Sequence, residues 1–172
     1  GLGHFQCSPG EGVVVEVAPP PCLMWGVQLC SWYFESMEFA TRQSSLNGVQ
    51  AVLDDDGVFR GVIAHKDPGV HNWIDPEHHD HGTIGIRYLF PETVPQPRLT
   101  RMPVGELDSY LPSNTKRVSP DERAKIEAGT EAFAGAEDGT TCKPFTSNNS
   151  RSSACHFLWC SSQSHRTSRG RR

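Results

Sequence analysis

Hydrophobic residues in the first two thirds of the chain recur with the period of strands. Gly12 to Val17 (GVVVEV) is a β-branched run closed by Pro19-Pro20-Pro21, which suits a pleated, half-buried surface followed by a hard stop. Trp25, Val27 and Leu29 alternate with Gly26 and Gln28, the two-residue period of a strand with one buried face. Val49 to Leu53 and Val58 to His65 flank Asp54-Asp55-Asp56-Gly57; this predicts a β-hairpin in which Gly57 supplies a positive φ. Ile84, Ile86, Tyr88 and Phe90 alternate with Gly85, Arg87 and Leu89. Beyond a loop marked by Pro91, Pro95 and Pro97, Arg98 to Val104 is a further strand candidate. Short strands at this spacing, punctuated by Gly and Pro, predict an all-β antiparallel sandwich or barrel.

One helix is expected. Ser119-Pro120-Asp121-Glu122 combines a Ser N-cap, Pro at the first helical position and Glu three residues after the cap, the elements of a capping box. The helix is expected over about 120–133, with Gly135 as its stop. Further on, Ser, Asn, Thr and Arg dominate and the aromatic residues have no period. That composition predicts a disordered, basic tail over residues 135–172.

Charge sharpens this division. The 172 residues hold 16 bases and 20 acids, a formal net charge of −4. Residues 1–140 carry all 20 acids and 10 bases, hence −10; residues 141–172 carry 6 bases and no acid, hence +6. An acidic body offers phosphate no basic face, so specific nucleic-acid binding is not expected, and the SHRTSRGRR end would attract phosphate only non-specifically. No apolar run approaches the roughly 18 residues of a membrane-spanning helix. The six cysteines (Cys7, Cys22, Cys30, Cys142, Cys155, Cys160) form no CxxC pair, so neither a zinc ribbon nor a disulfide framework is indicated. With no targeting segment evident, a reduced cytoplasmic setting is the default.

The densest candidate chemistry lies between His65 and His81 (HKDPGVHNWIDPEHHDH), with five of the eight histidines and four acids. Convergence of three or four of these groups would make a divalent-metal site, with His65, His79 and Asp75 as candidate ligands. The same region supplies acid–base candidates in His65, Asp67, Asp75 and His79. No HExxH or other fixed ligand spacing is present, and the alternative is a solvated loop whose His and Asp side chains cap backbone groups. Asp67-Pro68-Gly69 is turn chemistry. Asn72-Trp73 either ties loop backbone to the sheet or forms the polar anchor and apolar wall of a pocket. Arg42 to Asn47 is a polar run between strands. Arg42 and Arg87 can each grip a carboxylate or phosphate in a bidentate manner, or make ordinary ion pairs.

Trp25, Gln28 and Leu29, then Glu35 and Ser36, then Arg42, Ser45, Leu46 and Asn47 stand in order along the chain. Asp54, Asp56 and Gly57 follow, then His65, Asp67, Pro68 and Gly69, then Asn72, Trp73 and Asp75, then His79, Gly82, Thr83 and Arg87. This ordered string, with LPSNTKRVSPDERA after it, resembles bacterial proteins carrying domain of unknown function 1214, over about residues 10–134. The resemblance implies a β-sandwich of jelly-roll type with a closing helix, and a further N-terminal region that this chain lacks, so the chain reads as a fragment. It implies no established reaction. Within the histidine cluster it singles out His65 and His79 and leaves aside His71, His78 and His81. The tail departs from the pattern, and its composition resembles a shifted reading frame.

Three functions follow. The first is a small-molecule-binding sandwich, with an anionic or amphipathic ligand at the sheet end where Arg42, Asn47, Asn72, Trp73 and Arg87 would meet. The second is a metal-dependent or acid–base enzyme built on His65 and His79. The third is a structural module that packs on the missing N-terminal region or on a second copy. The enzyme requires His65 and His79 close together, the binding site a pocket lined by Trp73 or Arg87, and the module an exposed apolar patch.

Overall fold

A computed structural model of the chain describes residues 1–135, with side chains for residues 1–128. The strands are β1 (Leu2–Gln6), β2 (Glu11–Val17), β3 (Met24–Cys30), β4 (Ser45–Asn47), β5 (Phe59–Ala64), β6 (Trp73–Ile74), β7 (His81–Leu89) and β8 (Arg98–Pro103). A 3-10 turn (Val104–Glu106) leads into α1 (Leu107–Tyr110), and α2 (Pro120–Gly135) follows. The strands form two four-stranded sheets, β1-β7-β3-β4 (sheet A) and β6-β5-β2-β8 (sheet B). The described part is therefore all-β with two short helical appendages. The chain divides after Thr140; of the tail expected to be disordered, Gly135 belongs to α2 and the rest lies outside the described residues.

Side-chain alternation explains the layers. Val27 and Leu29 of β3 and Ile84 and Ile86 of β7 pack with Val13, Val15, Phe59, Ile63 and Ile74 of sheet B, so the two sheets enclose one core. A second core lies on the other face of sheet B: Val14, Val62, Ala64 and Trp73 meet Leu107 and Leu111. Sheet B is thus covered on both faces, which is why β2 reads as an unbroken valine run. Each aliphatic side chain removed from water contributes about 1.5–3 kcal/mol.

The structure adds β1, β6 and α1, which the sequence pattern does not predict, and departs from the expected elements in three further ways. Five of the six strand pairings among the described residues are antiparallel, but β5 and β6 run parallel, Val62 opposite Trp73 and Ile63 opposite Ile74. Val49 to Leu53 is not a strand; only Leu53 bridges to Phe59. Its turn does form, with Gly57 at φ 76° and the Asp54 amide donating to the Val58 carbonyl at 3.0 Å. The polar run from Arg42 to Asn47 contains β4, held because Leu46 is buried in the core.

Polar side chains close the outer face of sheet B. Arg60 Nη1 donates to Asp54 Oδ2 (2.8 Å), its Nε to Glu16 Oε1 (3.2 Å), and its Nη2 to Asp56 Oδ2 (2.7 Å). Tyr110 of α1 donates to Glu16 Oε2 (2.7 Å), and Thr115 to Asp54 Oδ2 (3.0 Å). The guanidinium beside Asp56 holds that carboxyl well below the usual range, at about 2. At the start of α2 the capping box is reciprocal: the Ser119 amide donates to Glu122 Oε2 (2.8 Å) and the Glu122 amide to Ser119 Oγ (3.3 Å).

Arg60→Met keeps the bulk and leaves the buried Asp54 and half-buried Glu16 carboxylates without their cation. Breaking such a pair costs about 3–5 kcal/mol. Chemical denaturation at neutral pH is expected to show a loss of that order, and a midpoint equal to that of the native chain would contradict the role given to Arg60.

Candidate functional site

The segment from His65 to Gly82 is organised by a residue outside it. Arg123, in the first turn of α2, is only 5% exposed. Its Nε donates to Asp67 Oδ2 (2.8 Å), its Nη1 to Gln43 Oε1 (3.1 Å) and the His71 carbonyl (3.4 Å), and its Nη2 to the Val70 carbonyl. Its guanidinium carbon stands 5.3 Å from the Trp73 ring centroid, within the range of a cation–π contact. Gln43 passes the connection on: its Nε2 donates to the Trp73 carbonyl, and the Asp75 amide donates to the Gln43 carbonyl (2.9 Å).

The predicted ligand residues serve this scaffold. Trp73 is buried, and its indole N–H donates to the Ala64 carbonyl (2.8 Å). Asn72 accepts from the Val52 amide (2.9 Å) and donates to the Val52 (2.6 Å) and Arg60 (3.1 Å) carbonyls. It ties the broken hairpin arm to β5. Asp67 also accepts from the Gly69 amide (2.8 Å), where Gly69 has φ 72°. Arg42 donates to Asp75 Oδ2 (2.6 Å), while Asp75 Oδ1 caps the Glu77 amide (2.8 Å). Asn47 caps the amides of Val49 (2.9 Å) and Gln50 (3.0 Å). Arg87 lies elsewhere, exposed on β7.

The histidines do not converge. His65 Nε2 is 2.7 Å from the Cys7 carbonyl and 3.2 Å from Asp80 Oδ1. Cys7 itself is buried, and burial, with Glu11 and Asp80 nearby, pushes its thiol up to about 11, away from thiolate chemistry. His78 and His79 are exposed on a tight turn in which Glu77 (φ 50°) and His78 (φ 66°) are left-handed and the His79 amide donates to the Pro76 carbonyl (2.8 Å). Burial pushes the Glu77 carboxyl up; a hydrogen bond from the Glu38 backbone and the charge of Arg42 act against it, and the charges of Asp75 and Glu38 act with it. Among the described residues no three His, Cys, Asp or Glu side chains are grouped so as to hold a metal ion. The set His65, Asp75 and His79 is therefore not assembled as a ligand sphere.

His71, set aside by the sequence pattern, is part of the scaffold. Its Nε2 lies 3.0 Å from the Gln50 carbonyl, while its buried Nδ1 has no partner. Burial lowers its affinity for a proton, and Lys116 and Arg123 add to the effect. The folded state therefore favours neutral His71, and the unfolded chain takes up the proton first as pH falls below about 6.5. Its contribution to stability is full above that pH and declines below it. Thermal unfolding followed from pH 7.5 down to 5 is expected to show a falling midpoint, with a shallower slope in His71→Gln; equal slopes would refute the assignment.

No family model matches the chain, and no curated protein matches it significantly. A solved structure of an uncharacterised Burkholderia cenocepacia protein is similar to it, at 27% identity and a TM-score of 0.59, over 62% of this chain and 30% of that one. A solved protein from Vibrio parahaemolyticus aligns over 59% of this chain and 30% of its own, at 12% identity and a TM-score of 0.46. The chain thus spans less than a third of the length of either solved protein.

Proposed function

We propose that this chain is a non-catalytic β-sandwich module that packs against further polypeptide. The observation that carries the reading is a run of three exposed aromatic residues, Trp32 (55%), Tyr33 (84%) and Phe34 (57%), in the turn after β3. Trp32 is held against the outer face of sheet A, its ring centroid 5.2 Å from that of His4 on β1 and 5.5 Å from that of His81 on β7. Leu2, exposed on the edge strand β1, extends the patch. Aromatic rings clustered in this way mark contact surfaces. The length of the Burkholderia protein, most of which lies outside the matched region, supports the presence of such polypeptide. Membership of the domain of unknown function 1214 group and a jelly-roll connectivity belong to the same proposal; the ordered motifs and two four-stranded sheets support them. A second reading, small-molecule binding, is favoured by the unpartnered buried amide of Gln28 on the same outer face of sheet A.

Hydroxyl-radical footprinting tests the packing. Trp32, Tyr33 and Phe34 are expected to label heavily in this chain alone and to be protected within a longer polypeptide that includes it. Equal labelling in both would contradict the proposal.

A further inference from the structure

Sheet A presents an outer face of unusual composition. Because Val27, Leu29, Ile84 and Ile86 point into the core, Gln28 of β3 and Gly85 and Arg87 of β7 point away from it. The register sets Asn47, Gly26 and Arg87 in one row across β4, β3 and β7, and Ser45, Gln28, Gly85 and Leu2 in the next. Gly85 carries no side chain there: a Cβ built on it would fit in ordinary contact with Leu2 Cδ2 at 3.8 Å and the Gln28 carbonyl oxygen at 3.9 Å. Beside it Gln28 is only 8% exposed, and its Nε2 is buried with no hydrogen-bond partner. An amide donor shut away from water without an acceptor is costly to the fold. Two residues further along β7, Thr83 donates to the Ser31 carbonyl (3.4 Å), so the turn carrying Trp32 folds over this end of the face.

The geometry points to a trough that binds an amphipathic carboxylate of medium chain length. At one end the head group accepts from Gln28 Nε2 and faces the charge of Arg87, a diagonal neighbour about 7–8 Å away between α-carbons. The tail runs over the missing side chain of Gly85, past Leu2, to the Trp32 ring. From Arg87 to Thr83 is four residues, about 13 Å along a strand, which fits a chain of about eight carbons. The site is distinct from the sheet end where Arg42, Asn72 and Trp73 are occupied with one another and with backbone. It shares Leu2 and Trp32 with the packing surface, while Gln28 and Gly85 belong to the trough alone.

Isothermal titration of the full chain with sodium octanoate tests it. Saturable binding at one site is expected, weakened about ten-fold or more by Gln28→Leu, which keeps the shape and removes the donor. Gly85→Val, which fills the trough with a strand-favouring side chain, is expected to weaken binding as much with an unfolding midpoint at or above the native value. Octan-1-ol, lacking the charge, and acetate, lacking the tail, are each expected to bind at least about ten-fold more weakly than octanoate. No saturable octanoate binding, or native affinity in Gln28→Leu, would overturn the proposal. Octanol binding as tightly as octanoate would remove the head-group half, and acetate binding as tightly would remove the tail half.

Discussion

A guanidinium withdrawn from water must find acceptors for its donors, because the loss of hydration costs far more than any single contact returns. Arg123 meets this requirement through four oxygen acceptors and one aromatic face, and these come from separate stretches of chain: Asp67, Val70 and His71 in the segment after β5, Gln43 before β4, and Trp73 on β6. The requirement works in both directions. Helix α2 can dock only where those oxygens converge, and the irregular segment from Asp67 to Asp75 can hold its path only while the guanidinium is present. The parallel pairing of β6 with β5, the capping of Glu77 by Asp75 and the Arg42 ion pair all stand on that path.

The two cores divide the molecule into faces with different freedom. Sheet B is sealed by the intersheet core on one side and by α1 and Trp73 on the other, and its remaining polar residues are bound in the Arg60 network. Little of it is available to a partner. Sheet A is buried on its core side and covered only in part on the other, over Gln28, Cys30 and Thr83. Its outer face carries the aromatic turn, an unpaired buried amide and a glycine, so both proposed activities fall there. A fold with one committed sheet and one open sheet needs no further device to direct binding to a particular surface.

The strands with clean alternation of apolar residues were legible in the sequence: Val27 and Leu29 of β3 and Ile84 and Ile86 of β7 face the core at every second position, and a core-forming pattern of period two has no competing reading. The helix was legible because its capping box is local. The failures have physical causes. β1 (LGHFQ) buries only Phe5, β4 only Leu46, and β6 has two residues, so none offers a period to detect. Val49 to Leu53 looks like a hairpin arm, but Asn72 takes both the amide and the carbonyl of Val52 that a strand partner would need. The candidate site was misread for a related reason. Histidines and acids close in sequence suggested shared chemistry, whereas His65, Asp67, His71 and Asp75 each bond a different backbone group and His78 and His79 are exposed. Arg123 was missed although it left a trace: a cation in the first turn of a helix opposes the dipole, and such a placement calls for an anion elsewhere in the fold. Gln28 left a similar trace as a polar residue between two buried strand positions, but only the register shows that Gly85 stands opposite it.

The account rests on Arg123 as the fastening of the whole histidine-rich segment, and Arg123→Lys isolates that role by keeping the charge while removing the planar fork. Amide hydrogen exchange reads it residue by residue. The account predicts faster exchange at His71, Trp73 and Asp75, whose amides bond to Lys116, Val70 and Gln43, with the amides of β2 and β3 exchanging as in the native chain. Native rates at His71, Trp73 and Asp75 in the Lys variant would contradict it.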